Sequence, residues 1–339
     1  RHRRRRRSDL RCWYSGGWFG GGLIHMATTP RRIKTTQSST AALPRVGMIG
    51  LGIMGGTMAE ALLKQGYDVC GFDIQNKAQT RLKKAGGQAM ANVGDVARHA
   101  DVLIVSLATS AALASVTREI AAVARPKGKA PQIVIETSTL PMADKEACAA
   151  QLKAKGRTVL DCPISGTAVR IKERAWTVFV SGTQAAYRKV LPILQVFTDN
   201  VPYVGPYGCG TKMKFAANHL VAIYNVAYAE SVTLARKMGL DPREVLKLFG
   251  NSPVLGTGVM RLRMAMMLER QYTPPTMKIE VWQKDMEVIG EMAKSVDCPM
   301  PLFSACAPIY TAAMAQGLAL EDTASTAEVM AAMAGLPPA

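Results

Sequence analysis

The sequence predicts an α/β protein in which a doubly wound, mostly parallel sheet is followed by an all-α domain. From residue 45 onward, short apolar runs typical of buried strands alternate with helical segments, and after about residue 206 only helical patterns remain. The chain has 339 residues, which is enough for two domains. We predict a basic tail at 1–44, a sheet domain at 45–206 and a helical domain at 207–339.

The first three elements form a βαβ unit. Residues 45–50 (RVGMIG) are a short apolar run, residues 53–66 place apolar side chains at helical spacing and end on a glycine, and residues 67–72 (YDVCGF) have the pattern of a second strand. Further strand patterns, separated by helical segments rich in Ala and Lys, lie at 101–107, 132–137, 158–164, 177–182 and 201–205. Because strands joined by helices run parallel, we expect a sheet with helices on its faces.

The C-terminal part of the chain is rich in Ala, Met, Leu and Glu and has helical patterns throughout. The predicted helices cover 211–239, 241–250, 257–270, 276–296, 302–317 and 321–334. The most hydrophobic stretch, residues 219–238, contains a histidine, an asparagine, a glutamate and an arginine, whereas a membrane-spanning helix needs about 20 predominantly apolar residues. We therefore predict a soluble protein with no membrane contact.

The net charge of +17 is concentrated in the tail. Residues 1–45 contain 11 Lys/Arg and one acidic residue, so the remaining 294 residues carry only +7. We interpret the arginine-rich start as sequence upstream of a native start near Met26; the alternatives are a mitochondrial transit peptide or an arm for nucleic acid or a membrane surface. Nucleic-acid binding through this tail is the non-enzymatic alternative, and the folded body lacks the interleaved basic and aromatic residues that would support it.

Cysteine and histidine usage argues against a metal site and against a disulfide framework. The seven cysteines are odd in number, widely spaced and without a CxxC pair, and the four histidines form no HExxH or HxH pattern. Free cysteines are typical of a reducing compartment. The expected location is the cytoplasm, or the mitochondrial matrix if the tail is a transit peptide.

A glycine-rich loop follows the first strand and opens the first helix. It has the pattern GxGxxG and consists of Gly50, Leu51, Gly52, Ile53, Met54 and Gly55. In a loop of this kind the first glycine allows a tight turn, the second lets the backbone approach a pyrophosphate, and the third lets the helix pack on the strand. Free amides at the positive end of the helix then hold the phosphates. Three glycines could also simply form a strand-to-helix turn, but this setting predicts a Rossmann-type dinucleotide site.

Asp73 ends the second strand, 23 residues after Gly50. A carboxylate at this position accepts a hydrogen bond from the ribose 2′-hydroxyl of NAD and repels the 2′-phosphate of NADP. We therefore predict NAD as the cofactor. NADP is less favoured but stays open as an alternative, because Lys77 and Arg81 follow closely enough to reduce the repulsion of a 2′-phosphate.

Four motifs in order resemble the β-hydroxyacid dehydrogenase family. They are the glycine loop, the segment DCPISG at 161–166, the run GCGTKMKFAAN at 208–218 and the pair Lys284-Asp285. The likeness covers about residues 45–335. The family includes 3-hydroxyisobutyrate dehydrogenase and tartronate semialdehyde reductase. It implies an NAD-dependent oxidoreductase that interconverts a small carboxylate-bearing 3-hydroxy acid and its semialdehyde, assembled as a homodimer or homotetramer.

The family's catalytic lysine and its asparagine partner correspond to Lys214 and Asn218. Residues four apart share one face of a helix, so both side chains would point into the same cleft. A partly dehydrated lysine has a lowered pKa, which suits it for proton transfer near neutral pH. By spacing alone, Lys214 could equally be a solvated surface lysine; the catalytic role is what the resemblance implies.

Further site residues are also implied by the resemblance. Ser165, Gly166 and Thr167 correspond to the loop that holds the substrate carboxylate, where backbone amides and a hydroxyl form an anion site. Thr167 replaces the second glycine of this loop, so the pocket is narrowed or lined differently and the usual substrates are in doubt.

The cofactor residues implied outside the glycine loop are Leu107, Ala108, Thr139 and Lys284. Thr139 borders the nicotinamide, Ala108 replaces the usual proline, and Lys284 closes over the site.

Alternative activities within the same architecture are tartronate semialdehyde (2-hydroxy-3-oxopropionate) reduction and a decarboxylating reaction of the 6-phosphogluconate dehydrogenase type. The decarboxylating enzymes carry a histidine before the asparagine, whereas here Asn218 precedes His219. Imine reductases replace the lysine, so Lys214 argues against that class.

Overall fold

The computed structural model describes residues 43–124, 130–168 and 171–337. Predictions about residues 1–42, including the start near Met26 and the targeting alternatives, lie outside the described residues. An eight-stranded, mostly parallel sheet with helices on its faces is followed by a helical part. The predicted fold class is thereby confirmed.

The first half of the sheet domain contains four strands and three helices. They are β1 (Val46–Ile49), α1 (Ile53–Lys64), β2 (Val69–Phe72), α2 (Asn76–Lys84), β3 (Gln88–Ala89), α3 (Val93–His99) and β4 (Val102–Val105). The strands β1, β2 and β4 each lie within a predicted apolar run. β3 was not predicted, because it has only two residues and neither of them is buried.

The second half completes the sheet and adds a small separate ladder. Its elements are α4 (Ser110–Ala122), β5 (Ile133–Glu136), α5 (Met142–Ala154), β6 (Thr158–Asp161), β7 (Ile164–Ser165), β8 (Thr177–Val178), β9 (Val180–Ser181), α6 (Gln184–Leu194) and β10 (Tyr203–Gly205). Two runs that the sequence predicts as single strands are each divided. Pro163, which has no N–H for a sheet ladder, separates β6 from β7, and β8 and β9 pair with different sheets.

The strand order predicts a ligand-binding crevice beside the glycine loop. The order is β10-β9-β6-β5-β4-β1-β2-β3, and every adjacent pair is parallel except β6 with β9. The chain direction across the sheet reverses between β1 and β4. Open α/β sheets bind ligands outside the carboxyl ends of the strands at such a switch point.

Both faces of the sheet are buried. Val102 and Ile104 of β4 belong to the apolar cluster on one face, while Leu103 and Val105 belong to the cluster on the other. This alternation explains why the central strands read as continuous apolar runs in the sequence. The carboxyl ends of the strands are therefore held on a rigid, two-sided core.

The helical part is built around one long helix. Its elements are α7 (Cys209–Lys237), α8 (Pro242–Gly250), α9 (Gly258–Glu269), α10 (Ile279–Ser295), α11 (Pro301–Ala315), a short 3₁₀ turn (Thr323–Ser325) and α12 (Thr326–Met333). α7 packs against all the α-helices that follow it and reaches back to the sheet through its first turn. No helix in the described part of the chain is long and apolar enough to span a membrane.

Candidate active site

The glycine loop between β1 and α1 has the close approaches that its pattern requires. Gly50 has φ +86°, and a Cβ there would lie 2.1 Å from the Ser106 carbonyl oxygen. A Cβ on Gly55 would lie 1.9 Å from the Gly50 carbonyl oxygen, whereas a Cβ on Gly52 would meet nothing within 4 Å. The first turn of α1 contains no acidic residue and Gly52 supplies no side-chain cap. Its positive end is thus open to an anion such as a pyrophosphate.

Asp73 lies just beyond β2 and is held against the glycine loop. One carboxylate oxygen accepts a hydrogen bond from the Leu51 amide at 2.7 Å, and the other accepts one from the Gln75 amide at 2.8 Å. Arg81 is paired with Glu60, with Nε 2.6 Å from Oε1. Because this partner carries the opposite charge, Arg81 is less available to offset the charge of Asp73.

A chain of contacts connects the loops that follow β1, β4 and β5. The Gly50 backbone abuts Ser106, the Leu107 amide donates to the Ser138 hydroxyl at 2.9 Å, and the Ser138 amide donates to Glu136 Oε1 at 2.7 Å. Ala108, which the resemblance assigns to the cofactor, is exposed on the β4–α4 loop. The three loops thus form one continuous rim along the carboxyl edge of the sheet.

Helix α10 closes the other side of this rim. Lys284 Nζ donates a 2.7 Å hydrogen bond to the Thr139 carbonyl and lies 3.1 Å from Asp285 Oδ1. Asp285 Oδ2 in turn accepts a 2.8 Å hydrogen bond from Asn218 Nδ2 on α7. Lys284 and Asp285 therefore connect the predicted nicotinamide loop to the predicted catalytic helix.

Lys214 lies on the first turns of α7, with Asn218 one turn further along the same face. Lys214 is 8% exposed and Asn218 is 4% exposed, so neither is the solvated surface side chain that spacing alone would allow. Within the described residues, the Lys214 ammonium makes no hydrogen bond and no ion pair. It is a nearly buried cation whose donors remain available for a ligand.

Burial also changes the protonation of Lys214. Removal from water lowers the pKa of this lysine to about 8; the neighbouring Lys284 charge acts in the same direction, and Asp285 opposes them. At neutral pH the group is mostly protonated, and a modest rise in pH makes it a base. This is the range in which a lysine can both accept and return a proton.

The loop with Ser165, Gly166 and Thr167 starts at β7 and is held by Trp176. Gly166 has φ +135°, and a Cβ there would lie 2.5 Å from Trp176 Cδ1, so glycine is required. Trp176 Nε1 donates to the Thr167 carbonyl at 2.7 Å. The Thr167 hydroxyl is buried and has no hydrogen-bond partner among the described residues. β7 packs against α7, which brings this loop to the helix that carries Lys214.

Asp285 is the site residue that the sequence alone did not assign. Its signal was its place in the Lys284-Asp285 pair, but a Lys-Asp pair on a helix is usually exposed, and only packing shows that Asp285 is buried and bound to Asn218. His219, the next residue on α7, stacks on Phe303 at 5.6 Å between ring centroids. Its ring therefore packs against α11.

Two protein-family models together match most of the chain. Residues 45–205 match the model described as the NAD binding domain of 6-phosphogluconate dehydrogenase. Residues 208–330 match the model described as NAD-binding of NADP-dependent 3-hydroxyisobutyrate dehydrogenase. The two matches follow each other along the chain.

Individual proteins align with nearly their whole length. The chain is 28% identical to an L-threonate dehydrogenase of Escherichia coli O6:H1 over 84% of this chain and 94% of that protein. It is 26% identical to a 2-(hydroxymethyl)glutarate dehydrogenase of Eubacterium barkeri, over 86% of this chain and 96% of the relative. A crystal structure of 3-hydroxyisobutyrate dehydrogenase from Salmonella typhimurium superposes with a TM-score of 0.75 at 27% identity, covering 84% of this chain and 99% of that one.

Proposed function

This chain belongs to the β-hydroxyacid dehydrogenase family, and from that premise we propose that it uses NAD to interconvert a small 3-hydroxy acid and its semialdehyde. The coarser activity follows from the family: the protein is a nicotinamide-dependent oxidoreductase that acts on a CH–OH group. The identity of the acid, the choice of NAD and the roles of individual residues are the proposal.

The single observation that carries the mechanism is the nearly buried ammonium of Lys214, which has no hydrogen-bond or ion-pair partner among the described residues and has a pKa of about 8. In the oxidative direction the neutral amine accepts the proton of the substrate hydroxyl. In the reductive direction the ammonium returns it to the carbonyl oxygen. The nicotinamide ring of a dinucleotide held by the glycine loop would accept the hydride in oxidation and supply it in reduction. The chain's own contribution is orientation and proton transfer.

Asn218 and Asp285 keep this geometry in place. The 2.8 Å hydrogen bond to Asp285 uses one Asn218 amide hydrogen and fixes the orientation of the carboxamide, which leaves its oxygen for the substrate or for Lys214. Lys284 contacts both Asp285 and the Thr139 carbonyl, so the loop after β5 is connected to α7 through Lys284, Asp285 and Asn218.

The substrate carboxylate is proposed to bind at Ser165, Gly166 and Thr167. The Thr167 hydroxyl, which has no hydrogen-bond partner among the described residues, and the positive φ of Gly166 support this placement, because the loop that carries them lies next to α7. Compounds to test are 3-hydroxyisobutyrate, tartronate semialdehyde, L-threonate and 2-(hydroxymethyl)glutarate. Turnover of 3-hydroxyisobutyrate, tartronate semialdehyde or 2-(hydroxymethyl)glutarate, followed at the nicotinamide absorbance, supports the proposal. Turnover of L-threonate alone, whose 2- and 3-hydroxyls are secondary and give ketones, would support only the coarser activity on a CH–OH group. Turnover of 6-phosphogluconate with release of CO₂ would replace the proposal with the decarboxylating alternative.

The proposal also includes the division of the chain into domains and its assembly into an oligomer. The last strand ends at Gly205 and α7 begins at Cys209, which supports the division into domains at 45–206 and 207–339. Exposed apolar side chains on the outer part of the helical domain, such as Leu234, Leu240 and Leu248, support a homodimer or homotetramer. Light scattering of the purified protein tests the oligomeric state.

We expect the cofactor preference to exceed tenfold in kcat/KM for NAD over NADP. Asp73 is fixed by two backbone amides and cannot turn away from a 2′-phosphate without losing both bonds. Steady-state kinetics with each cofactor measure the ratio. Asp73→Ser should reduce the ratio by weakening the repulsion, whereas a wild-type preference for NADP of tenfold or more would show that the assignment of Asp73 is wrong.

The pH dependence follows from the lowered pKa of Lys214. Oxidation needs the neutral amine, so its kcat/KM should rise with pH around a midpoint of about 8. Reduction needs the ammonium, so its kcat/KM should fall over the same range. Rate profiles in both directions between about pH 6 and 10 test this opposite dependence. Parallel profiles in the two directions would contradict proton transfer by Lys214.

A further inference from the structure

A second buried lysine, Lys145 on α5, lies behind the site and takes no part in the proposed chemistry. Its side chain is 0% exposed. Its ammonium contacts Glu136 Oε2, Asp161 Oδ1 and Thr211 Oγ1, each at 2.7 Å, and donates to the Ser138 carbonyl at 2.8 Å. One cation therefore joins the ends of β5 and β6, the loop after β5 and the first turn of α7.

The contacts of Asp161 explain why α7 starts at this point. Asp161 Oδ2 accepts a hydrogen bond from the Thr211 amide at 2.8 Å, and Oδ1 accepts one from the Thr211 hydroxyl at 2.7 Å. Gly208, the residue before the helix, supplies no side-chain cap. A buried carboxylate from β6 thus performs the capping function at the positive end of α7.

The cluster formed by Lys145, Glu136 and Asp161 keeps a net negative charge. One ammonium faces two carboxylates, so the cluster has a formal charge of −1, which lies at the positive end of the α7 dipole. Burial lowers the pKa of Lys145, but the Glu136 and Asp161 charges outweigh it and the net direction is upward. Lys145 therefore stays charged, as the source of a fixed set of hydrogen bonds.

Two lysines hold adjacent carbonyls of the loop at the proposed nicotinamide site. Lys145 binds the Ser138 carbonyl from α5, and Lys284 binds the Thr139 carbonyl from α10. Thr211, bound by Lys145, lies three residues before Lys214 on α7. The Lys145 ammonium thus contacts both the Ser138–Thr139 loop and α7. These are the two walls between which the proposed hydride and proton transfers take place.

We propose that Lys145 is a positioning residue, which sets the distance between the Ser138–Thr139 loop and Lys214 through its hydrogen bond to Thr211. This inference rests on the proposed catalytic role of Lys214. Lys145 and Thr211 touch neither substrate nor cofactor. Their removal should therefore reduce the rate of the chemical step and leave binding unchanged, because small misplacements of a catalytic group reduce rate steeply.

The test uses Thr211, since Lys145→Met would leave two carboxylates buried without a cation. Thr211→Val in the full chain removes the hydroxyl and preserves the shape, and Lys145 retains three oxygen partners. We expect kcat to fall about tenfold, with KM and the NAD dissociation constant unchanged within about twofold. Thr211→Ser, which restores the hydroxyl, should recover most of kcat. The substrate is whichever of 3-hydroxyisobutyrate and L-threonate the wild-type protein turns over faster.

Thr233→Val is the matched control. Thr233 lies on the same helix, is also buried, and its hydroxyl has no hydrogen-bond partner among the described residues. The same change of side chain there should leave kcat within about twofold, since no hydrogen bond is lost. Hydrogen exchange adds a readout that needs no substrate: Thr211→Val should accelerate exchange in 208–215 and 137–141, and not in the glycine loop.

The double variant Glu136→Gln with Lys145→Gln tests Lys145 itself. It removes one charge of each sign, so the formal charge of the cluster stays at −1. If Lys145 acts through Thr211, combining this variant with Thr211→Val should cost less than the product of the separate losses in kcat. If the loss in kcat of the combined variant equals the product of the two separate losses, the proposal is overturned.

Other results would also overturn the inference. Full kcat in Thr211→Val, equal losses in Thr211→Val and Thr211→Ser, or a loss of NAD affinity parallel to that of kcat would each exclude a positioning role. These results leave the proposed function intact provided that Lys214 is essential. If substitution of Lys214 itself leaves turnover unchanged, the proposed proton-transfer role of Lys214 fails first, and this failure is thus distinguished from a failure of the positioning role of Lys145.

Discussion

Lys214→Ala is expected to lose between about a hundredfold and ten-thousandfold in kcat, the range typical of a positioned general acid or base. The variant should fold, because it removes a buried cation that has no ion-pair partner among the described residues. It should also bind NAD with nearly unchanged affinity, since the glycine loop and Asp73 are built from other elements. Turnover assays and titration of NAD by protein fluorescence give the two quantities.

Lys212→Ala is the matched control for this experiment. Lys212 lies two residues earlier on α7 but is exposed, so its loss should change kcat by less than about twofold. If both variants retain wild-type turnover, the amine of Lys214 does not transfer the proton and the proposed mechanism is wrong. If only Lys214→Ala is impaired, and its NAD affinity is intact, the loss lies in the chemical step.

Gly52→Ala is expected to weaken NAD binding about a hundredfold, which corresponds to nearly 3 kcal/mol. A Cβ at this position meets no protein atom within 4 Å, and the backbone has φ −61°, so the protein itself tolerates alanine. The methyl group would instead occupy the space through which a pyrophosphate reaches the helix amides. Thermal unfolding without cofactor should be nearly unchanged, while the stabilisation given by added NAD is lost.

Gly290→Ala provides the corresponding control. Gly290 lies inside α10 in the helical part of the chain, and a Cβ there also meets nothing within 4 Å. This substitution should leave NAD affinity unchanged and stabilise the helix slightly, because alanine has the higher helix propensity. Unchanged NAD affinity in Gly52→Ala would mean that the cofactor does not approach the backbone at this loop.

Prediction of the fold succeeded where local patterns decide the structure. The βαβ unit at the start of the sheet and the six helical segments after residue 206 follow from apolar periodicity and from glycine turns. The prediction was incomplete where the pairing between strands decides the structure. Pro163 divides one predicted strand because the residues after it join a second ladder, and β3 exists only because β2 lies beside it.

The candidate site shows the same division. The glycine loop and Asp73 are close in the chain, and their spacing alone indicates how they meet. Asn218 meets Asp285 across 67 positions and Lys284 meets Thr139 across 145, so no periodicity could reveal these contacts. The resemblance pointed to Lys214, but its burial and lowered pKa depend on the packing of α7 against α10 and the sheet.

By itself, the sequence determined most of the strands and helices and the dinucleotide loop, because turns and periodicities are properties of neighbouring residues. The kind of chemistry was indicated by the resemblance to a known family. Only the tertiary structure decided which side chains lose water and which distant groups meet. It shows Asp285 as the partner of Asn218 and Lys145 as the buried cation behind both walls of the site. Desolvation and long-range hydrogen bonding depend on how the elements pack together in three dimensions.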